Sequence, residues 1–156
     1  MATKTGNVRG FFQRKGMQSG ALNKAARRRS TPAHVGQVAS GAVDFCIFRA
    51  PEGGAKIQSV SVNFGSSAMR HHANEADTWV LNLVNKSRGV DLLKQNASLS
   101  GVTIAASGFK ELSDINNGNA TMEAGAGLFL ELAISGTPQT MNHLSVHTNW
   151  YPAFEE

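Results

Sequence analysis

The residues in this 156-residue chain best suited to chemistry are five histidines and one cysteine. His34 stands alone, His71 and His72 are adjacent in a loop, and His143 and His147 share the outward face of a predicted strand. Neighbouring histidines seldom converge on one ion without further ligands, and two strand repeats separate the last pair too widely to share a metal. All five therefore read as surface side chains, with no metal site. Cys46 sits in the apolar run Phe45 to Phe48, which predicts a buried, inert thiol, and having no partner it cannot form a disulfide within the chain. Ala124-Gly125-Ala126-Gly127 has the glycines of a phosphate loop but enters a strand and lacks the lysine, so it reads as a turn. Three Asn-X-Ser/Thr triplets have no meaning without secretion. The carboxylates are too scattered to name an acid and base pair. The expectation is a non-enzymatic chain with no catalytic residues and no cofactor.

The elements that would carry these residues are short and extended. Thr78 to Asn85 places Trp79, Leu81 and Leu83 on one side and Thr78, Val80, Asn82 and Val84 on the other, the pattern of a strand buried mainly on its Trp/Leu face. Around it, Ala42 to Phe48 and Ile57 to Phe64 read as strands joined by the turn Pro51-Glu52-Gly53-Gly54. The second puts Val60, Val62 and Phe64 on one face. Lys86 to Gly89 turns into Val90 to Leu93, and weaker strands follow at Val102 to Ala105 and Phe109 to Leu112. Asn116 to Asn119 is a turn. Gly127 to Ser135 points Leu128, Leu130, Leu132 and Ile134 inward, and His143 to Trp150 points Leu144, Val146 and Trp150 inward. About eight strands and no long helix predict an all-β fold, an antiparallel jelly-roll-like sandwich spanning residues 41–156.

Residues 1–40 differ in kind. Eight of the fifteen Lys and Arg residues fall in the first 29 positions, and the first acid in the chain is Asp44. The remaining seven bases face eleven acids, so a segment of charge +8 precedes a body of charge −4. Scattered glycines and few large apolar residues predict an extended basic arm, disordered when free and ordered only against a partner, with a short helix possible over Gly20 to Arg29. Arg9, Phe11, Phe12, Arg14 and Lys15 mix cations with aromatics, and Arg27, Arg28 and Arg29 form a compact cluster. These eight residues are the expected partner-binding set, on an acidic protein surface or on nucleic acid phosphates. No run has the signal-peptide pattern or approaches the roughly 18 apolar residues needed to cross a bilayer, so a soluble, cytoplasmically made protein with no membrane partner is expected.

The stretch from Lys56 to Phe64, the following small-residue loop, Asp77 to Asn85, Glu123 to Leu132 and a closing strand ending in Trp150-Tyr151-Pro152 together resemble the small jelly-roll cement, or decoration, proteins of tailed-phage capsids. The resemblance covers residues 42–152. Arg70-His71-His72 and the length of the basic arm depart from that pattern. The resemblance implies a structural virion protein on the outer capsid surface, often a homotrimer, whose partner is the major capsid protein. The arm lies beyond the resemblance, and its assignment as a clamp on neighbouring subunits comes from composition. The alternative is a virion protein that grips nucleic acid through the arm. A jelly-roll sugar binder would need aromatic rings exposed on one sheet face, and the one Tyr and two inward-phased Trp residues give it little support.

Overall fold

The computed structural model describes residues 28–38, 41–64, 69–70, 77–100, 102–104, 108–138 and 140–153. Among them the chain forms twelve strands and no α-helix. They are β1 (Arg29–Val38), β2 (Val43–Arg49), β3 (Ala55–Asn63), β4 (Met69–Arg70), β5 (Thr78–Asn85), β6 (Val90–Asp91), β7 (Ala97–Ser98), β8 (Thr103–Ile104), β9 (Phe109–Leu112), β10 (Thr121–Met122), β11 (Gly127–Ser135) and β12 (Met141–Pro152).

Ten of these build two antiparallel sheets. One runs β1-β12-β3, with β9 and β10 placed end to end along the far side of β3. The other runs β2-β11-β5, with β6 and β7 end to end along β5. Each interrupted pair fills one strand position, so each sheet has four. The chain crosses between sheets at β1 to β2, β2 to β3, β3 to β5, β7 to β9, β10 to β11, and β11 to β12. That connectivity is a jelly roll, the sandwich expected from the sequence. β4 and β8 form a separate two-stranded ribbon.

The core lies between the sheets. Trp79, Leu81 and Leu83 of β5 face Val60 and Val62 of β3, with Leu128, Leu130 and Leu132 of β11 and Leu144 and Val146 of β12, all essentially inaccessible. Ile134 is only half-buried at the end of β11. β5 was expected to bury mainly one face, but Thr78, Asn82 and Val84 on the other face are buried too. Val84 lies opposite Phe129 in register, and the Asn82 amide donates to Asp91 Oδ1 at 2.8 Å, so neighbouring side chains shield this central strand from outside.

The turns follow the expected chemistry. Gly54 N–H donates to the Pro51 carbonyl at 2.9 Å, with Gly54 at φ +82°. A Cβ there would stand 2.5 Å from the Met122 carbonyl oxygen, so both the positive φ and the close approach require glycine. In the Asn116 to Asn119 turn the Asn116 side chain accepts from Gly118 N–H at 3.1 Å.

Residues 29–38, expected in the arm, instead form β1. Thr31, Ala33 and Val35 turn toward the sandwich while Ser30, Pro32 and His34 face out. β1 pairs only with β12 among the described residues, and an edge strand tolerates Pro32, which cannot donate to a ladder. Two irregularities interrupt the register, one on each side of Gly36, which has φ +81°. They offset one another, so Val38 again meets Met141 in the core.

Candidate interaction face

The basic segment joins the body through a clasp at the start of β1. The Trp150 indole, at the far end of β12, packs its ring 5.2 Å from that of Phe48 in a tilted arrangement. Its Nε1–H donates to Thr31 Oγ1 at 3.0 Å, and the Arg29 guanidinium lies 5.4 Å from the ring centroid. A hydrogen bond and a cation–π contact thus fix two of the first residues of β1 to an otherwise buried tryptophan. Of the eight residues expected to bind a partner, Arg9, Phe11, Phe12, Arg14, Lys15 and Arg27 lie outside the described residues. Arg28 is exposed, and Arg29 is committed to Trp150.

Beside this clasp is the outer face of the β1-β12-β3-β9 sheet. The register arranges its outward side chains in rows. Ser30, Asn149 and Ser59 form one, Pro32, His147, Ser61 and Glu111 a second, and His34, Ser145, Asn63 and Phe109 a third. Asn149 Nδ2 donates to Ser59 Oγ at 3.1 Å, and Ser61 Oγ donates to Glu111 Oε2 at 2.5 Å. Hydrogen bonds from Ser59 and Ser61, with a smaller contribution from the Arg28 charge, hold the Glu111 carboxyl below its ordinary range against the opposing effect of burial. The face holds a depression of about 300 Å³ lined by Ser30, Ser61, Asn63, Phe109, Ser145 and His147.

The outer face of the other sheet carries an ion cluster. Lys86 Nζ pairs with Asp44 and, at 3.1 Å, with Glu131 Oε1, and it lies 5.3 Å from the Phe129 ring centroid. The Lys86 hydrogen bond and charge lower the Asp44 pKa, while Asp44 and then Glu131 raise that of Lys86. These exposed pairs tie the turn after β5 to β2 and β11 and offer no free reactive group.

The remaining candidates separate in space. Cys46 is exposed, not buried as expected. Its neighbours are apolar, but Phe45 lies opposite Leu130 and Cys46 opposite Phe129, so alternation turns the thiol outward before the irregularity at Ile47 restores Phe48 to the core. His34, His143 and His147 are exposed, as expected, and His143 has φ +57° at the irregularity opposite Gln37. His71 and His72 lie outside the described residues. Ala124 and Gly125 form a turn that leads into β11 at Gly127, pinned by Gly125 N–H donating to the Ala50 carbonyl at 3.0 Å. Among the described residues no three His, Cys, Asp or Glu side chains gather as metal ligands, and no helix is long and apolar enough to cross a membrane. No local sequence pattern pointed to the Trp150 clasp, since Thr31 and Trp150 are 119 positions apart.

Fold and face together define a jelly-roll sandwich with a basic N-terminal segment joined at an edge strand. No protein-family model matches the chain, and no curated protein matches it. Among solved structures it is similar to a chain of the cyanophage Pam1 capsid asymmetric unit, with 14% identity over 80% of this chain and 85% of that one and a TM-score of 0.47. A likeness at that level carries no functional argument.

Proposed function

We propose that this chain is a structural virion protein, a capsid cement or decoration protein that binds the major capsid protein on the outer surface of a phage head. The observation that carries this reading is the join between the +8 segment and the clasped edge strand. A segment anchored to a rigid sandwich transmits tension between whatever it grips and the body, which is the mechanical task of a staple. A self-associated form, a homotrimer by the resemblance to cement proteins, presents several such segments and gains avidity. Arg9, Phe11, Phe12, Arg14, Lys15, Arg27 and Arg28 make the shell contacts, the cations on acidic capsid surface and the phenylalanines as apolar anchors. Ordering such a segment opposes binding by about 1–2 kcal/mol per residue, so many contacts are needed to hold it.

A second reading is favoured by the absence of any acid before Asp44: the segment neutralises nucleic acid phosphates. One experiment separates the two. Purified, DNA-free expanded shells of the encoding phage are titrated with the intact chain and with full-length variants carrying Phe11→Ala and Phe12→Ala, or Arg9→Glu and Arg14→Glu. Saturable binding at a fixed ratio to capsid subunits, weakened by both variants and indifferent to competing duplex DNA, is the expected result. Empty shells that bind nothing, with DNA taking up the intact chain, would transfer the function to nucleic acid. Salt dependence does not discriminate, since screening weakens both. A truncation reaching Gly36 would remove most of β1, so substitutions in the full chain are the sounder probe.

A further inference from the structure

We propose that the depression on the outer face of the β1-β12-β3-β9 sheet binds an uncharged, polyhydroxylated ligand, a neutral oligosaccharide, with Phe109 as its stacking ring. Phe109 is 64% exposed at the start of β9, and with Val43 it is one of two large exposed hydrophobic residues among the described residues. It stands at the end of a row whose other members are His34, Ser145 and Asn63. Beside it the lining supplies hydroxyl, amide and imidazole groups from Ser61, Asn63, Ser145 and His147. The one Asp, Glu, Lys or Arg in the three rows is Glu111, and the Ser61 hydroxyl already donates to it.

That composition selects among ligand classes. Protein interfaces are depleted in serine and rich in Tyr, Trp and Phe at their core, whereas four serines, one of them buried, and a single Phe, with no Tyr or Trp, occupy these rows. A nucleic acid requires cations to neutralise phosphates, and the rows contain no Lys or Arg. Beside them, Arg29 is already engaged with Trp150, and Arg28, an exposed cation whose charge reaches the face, acts on Glu111. A neutral sugar matches both parts of the site. Its hydroxyls exchange hydrogen bonds with serine and asparagine side chains, and its weakly positive C–H face lies against the negative face of an aromatic ring. The volume of about 300 Å³ is at the small end of ligand sites. A shallow site of this kind holds a ring or two of a longer chain, with a dissociation constant on the order of millimolar.

The test uses the intact, isotope-labelled chain titrated with maltohexaose, cellopentaose and chitopentaose while amide shifts are followed. The expected result is saturable movement of the Ser61, Asn63, Phe109, Ser145 and His147 amides with at least one sugar. Phe109→Ala, at an exposed position, should weaken that binding by about tenfold or more while leaving the spectrum elsewhere unchanged, and Phe109→Trp should retain or tighten it. No saturable shift with any of the three sugars would overturn the proposal. So would shifts insensitive to Phe109→Ala. Shifts at these amides that depend on protein concentration without sugar would assign the face to a second copy, and the same shifts produced by duplex DNA would assign it to nucleic acid; either overturns the proposal.

Discussion

Replacing Thr31 by Val preserves the shape of the side chain and removes the hydroxyl that accepts the Trp150 indole N–H at 3.0 Å. Trp150 is 6% exposed, so water does not readily replace the lost acceptor. A buried donor left unpaired costs about 1–3 kcal/mol, and the Arg29 contact with the same ring remains to limit the loss. For a chain of this size that lowers the unfolding midpoint by about 2–10 °C. Because β1 pairs only with β12 among the described residues, the loosening concentrates there. Amide exchange over residues 30–33 should accelerate more than exchange in β5 or β11, which sit inside their sheet. Urea unfolding followed by indole fluorescence gives the free energy, and exchange gives its location. Thr31→Ser, which keeps an acceptor, should recover most of the loss. Equal stability of Thr31→Val and the parent within about 0.3 kcal/mol, with exchange in β1 unchanged, would refute the clasp as the anchor of the basic segment.

Thr148 is fully buried and its Oγ1 has no hydrogen-bond partner among the described residues, so Thr148→Val should stabilise the protein by about 1 kcal/mol in urea unfolding; a loss of stability would show that the hydroxyl is satisfied in solution. Gly54→Ala meets both a positive φ and the Met122 carbonyl oxygen, and should cost about 2–3 kcal/mol. Its measured unfolding free energy matching the parent's would contradict that geometry. The folded Glu111 pKa is lowered, so its contribution is complete above the unfolded value and disappears as pH falls through the folded one. Glu111→Gln should therefore be less stable than the parent at neutral pH, with the difference closing in acid. A difference that stays constant down to about pH 2 would contradict the hydrogen-bonded carboxylate.

Strands β5, β9 and β11 were legible to the residue, and β2, β3 and β12 to within two residues at each end. In β11, and in β3 from Val60 on, every second side chain is large and apolar, because one face meets the core while the other is more open; β5 shows the same alternation of large residues although both its faces are covered. β1 was not legible. An edge strand covered on one side needs only small inward residues, here Thr31, Ala33 and Val35, and the irregularities around Gly36 shift the phase before Val38. β10 was missed for a related reason, being two residues long and completing an edge that β9 begins. The outward thiol of Cys46 was hidden because Phe45 to Phe48 is apolar throughout, so the run carries no alternation from which to read a face.

By itself the sequence determined the all-β class, the main core residues, the turns and the contrast between a basic segment and an acidic body. Each is a local property, set by side-chain period, backbone freedom or composition. Only the tertiary structure decided that Arg29 belongs to an edge strand, that Trp150 holds that strand through Thr31, and that Phe109 stands exposed beside a row of serine, asparagine and histidine. Those facts depend on register between strands far apart in the chain. A one-residue slip would turn every such side chain to the opposite face, and no short window of sequence records which register the core will select.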